Sequence, residues 1–465
     1  MEENTYRPQN PRRRRKTKWE IIKEAYLPTI ILIATAILII IFIAGALARR
    51  SDTNETTPPE SSSTAPTPDP YEAEIQQLLT EAALLAADYD YKGAADLLGT
   101  FKGDMSSYPA LSAKKDEYLK ADANMVTWSD PAQIKTLSFH TLIADPARAF
   151  VNAAYGAAYK KNFVTVEEFK GILHHLYDNG YILVSLEDFT YAADPSLGAV
   201  DGNMCYAKEL RLPIGKKPLL LVQTNVNYYT YMVDGNGDGL PDKDGAGFAS
   251  RMLVGDNGKI TCEMVDSQGN TVQGAYDLVP ILNDFIEGHP DFSYRGAKAI
   301  LAPSGYDGIF GYRINAGVKA SKGEDYYNEM VAGATELVKA LRADGYDLAC
   351  YTYGNSAYGA ISAGEIQNDL RSWASEITPV FGSTSILVFA QNSQIEEYTG
   401  SKFNVLYNAG FRYFFGFDTN GKVASNYILQ SRVLVTGSQM LENPALYGAF
   451  FSTDGILDPL RNNAN

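Results

Sequence analysis

Residues 162–189 read NFVTVEEFKGILHHLYDNGYILVSLEDF, a helix, a turn and a strand in one stretch. Thr165-Val166-Glu167-Glu168 is a capping box, in which the Thr hydroxyl and the Glu carboxylate satisfy amides that a helix start leaves unpaired. Phe169, Ile172, Leu173 and Leu176 then form one apolar stripe, and Asn179-Gly180 ends the helix. His174 and His175 fall within it as helix surface or core residues rather than ligands. The apolar run Ile182–Leu186 follows as a strand. Outward from this unit, further short apolar runs separated by amphipathic segments predict strands at Thr136–Ile143, Pro218–Gln223, Tyr346–Tyr351, Ile386–Ala390 and Arg412–Phe417. Strands alternating with helices argue for an α/β fold with a mostly parallel sheet.

The 465 residues divide unevenly in charge. Ten of the 40 basic and four of the 55 acidic residues precede Ser51, leaving 30 basic against 51 acidic beyond it, a net of about −21. Such a surface argues against nucleic acid, because phosphate binding needs a concentrated basic patch. It would also repel an acidic glycan at long range. Cys205, Cys262 and Cys350 are widely spaced and odd in number, which fits buried core thiols rather than a disulfide framework or a zinc ribbon.

Leu27–Ala48 is an uncharged, almost wholly apolar run of 22 residues, about 33 Å as a helix and long enough to span a bilayer. Arg12, Arg13, Arg14, Arg15, Lys16, Lys18 and Lys23 precede it, so the positive-inside rule places residues 1–26 in the cytoplasm and everything after the span outside. The competing reading is a cleaved signal peptide, since Ala44-Gly45-Ala46 and Ala46-Leu47-Ala48 fit a small-x-small cleavage site. The length of the apolar run and of the segment before it favours an uncleaved signal-anchor. Residues 49–70, rich in Ser, Thr and Pro, bury too little to fold and read as a disordered linker. Residues 71–125 read as a small helical spacer. Ile75, Leu78, Leu79, Ala82, Leu85, Ala86 and Tyr89 form a helical stripe, with a second helix through Tyr91–Leu98 and a third at Pro109–Ala123. One half of a tetratricopeptide-like repeat is present where about three repeats are needed for a solenoid.

From residue 126 to 465 the chain resembles the polysaccharide deacetylases, the carbohydrate esterases with NodB homology. The resemblance is carried by Val164-Thr165 through Phe169, by Gly180-Tyr181 with Ser185-Leu186-Glu187-Asp188, and by Lys217–Leu221, Asn227-Tyr228-Tyr229 and Phe248–Arg251. It continues through Pro290–Gly296, Gly305-Tyr306, Gly311-Tyr312-Arg313 and Gly410–Phe414. It implies a distorted (β/α) deacetylase-type barrel with a cleft at the strand C-termini, and an ancestry in removing acetyl groups from cell-wall or capsule glycans.

Deacetylation at neutral pH needs a metal to acidify a bound water and a carboxylate to take its proton. The resemblance implies an Asp-Asp pair after one strand and a His-x-x-x-His after a later one. Here Thr224 and Asn225 stand at the paired-Asp positions, and Tyr351 and Asn355 at the two His positions. A threonine is no base near neutral pH, and neutral amide and phenol oxygens are poor zinc ligands. The expectation is therefore a pseudoenzyme without catalytic zinc, acting as a glycan-binding or scaffolding module in the envelope. The alternatives are an active deacetylase with ligands relocated to Asp307, Glu396, Glu397 or Asp418, and a glycosidase-like barrel using two of those acids.

Asn227, Tyr228, Tyr229, Arg313, Tyr353 and Asp418 are the cleft candidates, the tyrosines as platforms for sugar rings and the amide as a hydroxyl partner. The expected partners are a cell-wall or capsule glycan, or an envelope protein. A separate motif, Asp234-Gly235-Asn236-Gly237-Asp238-Gly239-Leu240-Pro241-Asp242, places oxygens with the spacing of a calcium loop: Asp234, Asn236, Asp238, the Leu240 carbonyl and Asp242. Gly245 stands where an EF-hand would place its bidentate Glu.

Overall fold

The computed structural model describes residues 69–128, 130–193, 204–417 and 420–461, in two compact units. The tail, span and linker expected at residues 1–26, 27–48 and 49–70 lie almost wholly outside the described residues. Among the described residues no helix is long and apolar enough to cross a membrane.

The smaller unit contains the three helices read from the sequence, at Glu72–Ala87, Tyr91–Leu98 and Pro109–Ala123. Asp90 caps the second through the amide of Gly93 at 3.0 Å. Leu78, Ala82, Ala94, Ala95, Leu98, Phe101, Leu111 and Tyr118 form its core.

The larger unit is built on seven parallel strands: β1 (Lys135–Phe139), β2 (Lys217–Thr224), β3 (Ile300–Ala302), β4 (Asp347–Leu348), β5 (Ile386–Val388), β6 (Tyr413–Gly416) and β7 (Ile428–Leu434). Each but the β4–β5 pair is hydrogen-bonded to its neighbour in chain order, and β7 returns to β1, with Arg432 opposite Thr136. The gap between β4 and β5 is closed just beyond β4. There Cys350 N–H donates to Ile386 at 3.0 Å and its carbonyl accepts from Val388 at 2.9 Å. The sheet is thus a barrel. Its distortion lies at β2, whose lower half pairs with the short strand Tyr181–Leu183 and whose upper half pairs with β3.

Helices Val166–Asp178, Leu278–Gly288, Glu324–Ala343, Ala363–Ser372 and Gly400–Asn408 occupy the first five connections. The sixth has none among the described residues, and Lys422–Val423 runs back antiparallel to the start of β7 instead. Strand alternation sorts the apolar residues. Leu137, Leu219, Leu221, Leu301, Leu387 and Phe414 belong to the core under the helices. Leu220, Val222, Ile300, Val388 and Phe415 are equally buried but outside that core, and so fill the barrel. All three cysteines are free and buried.

The strand expected at Ile182–Leu186 stops at Leu183, because Ser185 and Asp188 cap a short helix at Leu186–Phe189. Tyr346–Tyr351 shortens to two paired residues and the Cys350 bridge, and Thr136–Ile143 ends at Phe139. Strands β3 and β7 were not expected, nor was an antiparallel sheet of Arg251–Val254, Ile260–Val265 and Thr271–Gly274.

The capping box is present as read, and Glu168 has a second task. Its carboxylate, fully buried, pairs with the equally buried guanidinium of Arg461, which also donates to the Phe163 carbonyl at 2.6 Å. Removing one partner of such a pair strands the other charge in a dry interior, at a cost of about 3–5 kcal/mol. Arg461→Met is expected to lower unfolding free energy by about that amount in urea denaturation, and adding Glu168→Gln to restore part of it. A single-mutant loss below about 1 kcal/mol would mean the pair contributes no more than a surface one.

Candidate functional site

The C-terminal ends of the barrel strands are where catalytic or binding groups of such barrels lie. Here they carry an unusual density of backbone strain. Asn225 after β2, Thr352 and Asn355 after β4, and Gln391 and Asn392 after β5 all have φ between 51° and 62°. For the β-branched Thr352 this conformation is a genuine outlier, and such strain gathers at functional sites.

The side chains there form two linked groups. In the first, His140, just past β1, has its Nδ1 2.9 Å from Thr224 Oγ1 and 3.5 Å from Asn225 Nδ2. Asn225 Oδ1 accepts from the Tyr229 hydroxyl at 2.8 Å, which also meets Ser304 Oγ at 2.8 Å. In the second, Arg432 of β7 reaches across the barrel: Nη1 donates to Ser138 Oγ of β1 at 3.0 Å and Nη2 to the Phe389 carbonyl past β5 at 2.7 Å. The guanidinium lies 3.8 Å from the ring centre of Phe417 and 5.9 Å from that of Tyr351. Arg432 is 2% exposed, Tyr351 3% and Thr224 not at all.

Two shifts follow. Burial pushes Arg432 down to about 10, still a cation at neutral pH. Burial, then the adjacent Arg432 charge, pushes His140 down to about 4, so its imidazole is neutral although one edge remains accessible.

Of the four positions expected to have lost base and ligands, Thr224 and Asn225 converge on His140, and Tyr351 lies beside Arg432. Asn355 sits on the loop after β4, its carbonyl accepting from Gln391 and its buried Oδ1 without a partner. The cleft candidates fare differently, because their side chains brace loops. Asn227 is buried and bonds to Ser304 in both directions. The Tyr228 hydroxyl donates to buried Asp277 at 2.6 Å. Arg313 binds the carbonyls of Asn227, Tyr228 and Asp307, and Tyr353 donates to Glu376 at 2.8 Å. Asp418 lies outside the described residues. Of the alternative carboxylates, Asp307 accepts from the Thr230 amide and pairs with Arg313, while Glu396 and Glu397 are exposed. His174 and His175 lie on the expected helix, with His174 exposed and packed on Phe285.

Of the tyrosines named as platforms, Tyr228 and Tyr229 are buried and Tyr353 is half-buried, but a row of accessible rings borders Tyr229. Tyr229 is stacked between Tyr231 at 5.6 Å and Tyr306 at 5.3 Å, and Tyr155 extends the row from Tyr231 at 5.2 Å. Tyr155, Tyr231 and Tyr306 are each about two-fifths exposed.

In the Gly/Asp loop the expected calcium oxygens turn inward onto backbone amides. Asp234 accepts from Gly237 and Gly239, both at 2.6 Å; Asn236 accepts from Asp238 at 2.9 Å, Asp238 from Leu240 at 2.8 Å, and Asp242 from Asp244 at 2.9 Å. Asp242 Oδ2 is buried without a partner. Among the described residues no three His, Cys, Asp or Glu side chains are grouped closely enough to hold a metal.

No family model matches the sequence, and no curated protein matches it. Two solved structures share a distant likeness. One is the Streptococcus pyogenes deacetylase PplD in complex with acetate, at 10% identity and a TM-score of 0.33, covering 68% of this chain and 98% of that one. The other is a de-N-acetylase from Aggregatibacter actinomycetemcomitans, at 12% identity and 0.34, covering 65% and 95%. At this distance neither fixes a family or a chemistry for this chain.

The depressed His140 value has a consequence for acid stability. The unfolded imidazole titrates near 6.5 and the folded one near 4, so between these values the unfolded chain binds more protons. Stability therefore rises with pH through this window and falls as acid is added, by on the order of 3 kcal/mol. His140→Gln should flatten that slope, and the His140 ring proton should not titrate above pH 5 in NMR. Titration near 6.5 would contradict the burial described.

Proposed function

We infer that this chain is a membrane-anchored, extracytoplasmic, deacetylase-like protein that no longer hydrolyses its ancestral substrates and instead binds cell-wall or capsule glycan. In this reading residues 1–26 are cytoplasmic and residues 27–48 span the membrane. The observation that carries it is Arg432, a fixed cation among strand ends where the family resemblance would set a metal. A guanidinium there opposes a divalent cation, and Thr224, Asn225, Tyr351 and Asn355 offer it no anionic ligand and no general base. The Tyr155–Tyr231–Tyr229–Tyr306 row supports glycan as the partner, since sugar rings present C–H faces that pack on phenol rings. An envelope protein is the competing partner, and pull-downs with purified glycan separate the two.

Full-length protein is expected to carry no stoichiometric zinc, cobalt or nickel and to release no acetate from acetylated chitooligosaccharide, peptidoglycan or acetylxylan. It should retain chitooligosaccharide, and Tyr231→Ala with Tyr306→Ala should weaken retention about tenfold, the scale of one to two aromatic contacts. Acetate release abolished by a chelator would sink this reading and promote the active enzyme with relocated ligands. Restoring Thr224→Asp, Asn225→Asp, Tyr351→His and Asn355→His should bring back metal binding only when Arg432 is also replaced by Met.

We also propose calcium for the loop Asp234–Asp242, supported by the partnerless buried Asp242 oxygen. Millimolar calcium should raise the melting temperature by linkage, and Asp234→Ala with Asp238→Ala should remove the rise. An equal rise in that variant would eliminate the site.

A further inference from the structure

The geometry points to the top of the barrel as a binding site for a single carboxylate group, with Arg432 as its anchor and an acidic sugar as the class of ligand. This rests on reading the barrel as a binding module and goes beyond it by naming the charge that the module selects.

The first observation is a charge without a counter-charge. Arg432 is buried, its partners are the Ser138 hydroxyl, the Phe389 carbonyl, the Phe417 ring and Tyr351, whose hydroxyl also interacts with the guanidinium, and no carboxylate among the described residues pairs with it. The other buried arginines of this unit are provided for. Arg461 has Glu168, and Arg313 has Asp307. Arg412 binds the carbonyls of Tyr407 and Phe411 at the C-terminus of helix Gly400–Asn408, the negative end of that helix dipole. Among the described residues Arg432 has no helix end and no acid.

The second observation is unused hydrogen-bonding capacity. A guanidinium has five N–H donors, and Arg432 Nε has no partner; Arg412 Nε shares this, but the Arg412 guanidinium is committed to carbonyls at a helix end. The neighbouring polar groups His140, Thr224 and Asn225 are neutral, so among the described residues these neighbours do not repel an anion. The strained backbone of Asn225 holds its amide against His140. A monoanion matches the single positive charge, and a carboxylate matches the planar fork of a guanidinium.

The test uses full-length protein at physiological ionic strength, with glucuronate, glucose, propionate and chloride added separately and thermal stability read at each concentration. Saturable stabilisation by glucuronate, none by glucose, and at least tenfold weaker binding in Arg432→Gln are expected, the scale of one hydrogen bond to a charged group. Propionate matching glucuronate would support the site while assigning it to a small free carboxylate. Chloride matching both would overturn it as a nonspecific anion effect. Should Arg432→Gln not fold, the Arg432 Nε–H resonance in the unaltered protein decides: a saturable shift with glucuronate supports the site, and no shift overturns it. Acetate release by the unaltered chain would overturn the non-hydrolytic reading and leave the glucuronate result standing.

Discussion

A parallel sheet that closes on itself has an inside that must be filled, and the rest of this unit depends on how the closure is made. The bridge of Cys350 to β5 joins the two edges that the strand ladder leaves apart. Once joined, the sheet buries its inward side chains, so the inward residues of β7, Gln430 and Arg432, lie among Leu220, Val222, Val388 and Phe415 and the small polar residues Thr136, Ser138 and Thr224. A charge in that position is tolerable only if its surroundings replace water.

The magnitudes show how nearly they do. Burying an ion costs several kcal/mol after relaxation. Two hydrogen bonds from a charged donor return about 1.5–3 kcal/mol each, and a desolvated aromatic face about 2. Arg432 has both, through Ser138, Phe389 and the Phe417 ring, so it can remain a cation inside the barrel without an acid. Burial, and after it the same charge, depresses His140. The His140 imidazole is thereby a neutral hydrogen-bonding group and not a general acid at neutral pH.

What was legible in the sequence follows from the same constraint. Strands whose inward and outward residues are both apolar, such as β2 with Leu219, Leu220, Leu221 and Val222, stand out as continuous apolar runs. The strand β7 did not, because Gln430, Ser431 and Arg432 interrupt its apolar residues and read as solvent-facing. The strand β3 was hidden by its length, three residues that stop just before Pro303. The helix at Val166–Asp178 was legible to its first residue because capping is local chemistry. The substitutions at Thr224, Asn225, Tyr351 and Asn355 were visible as letters, but Arg432 and His140 come to that place only through closure of the barrel. Tyrosines show the limit most directly. Tyr228, Tyr229 and Tyr231 are almost adjacent, yet only Tyr231 faces solvent, and nothing in the letters separates it from its neighbours.

The excess of acidic residues beyond Ser51 bears on kinetics more than on selectivity. Repulsion between an acidic surface and an acidic sugar slows their approach, but salt screens exposed charges beyond about 8 Å at physiological ionic strength. Within that distance the contacts at the barrel end set the preference, and there the one uncompensated charge among the described residues is positive. An overall acidic protein can therefore prefer an anion at one point, because net charge acts on association rates and solubility while affinity is decided by the groups a ligand touches.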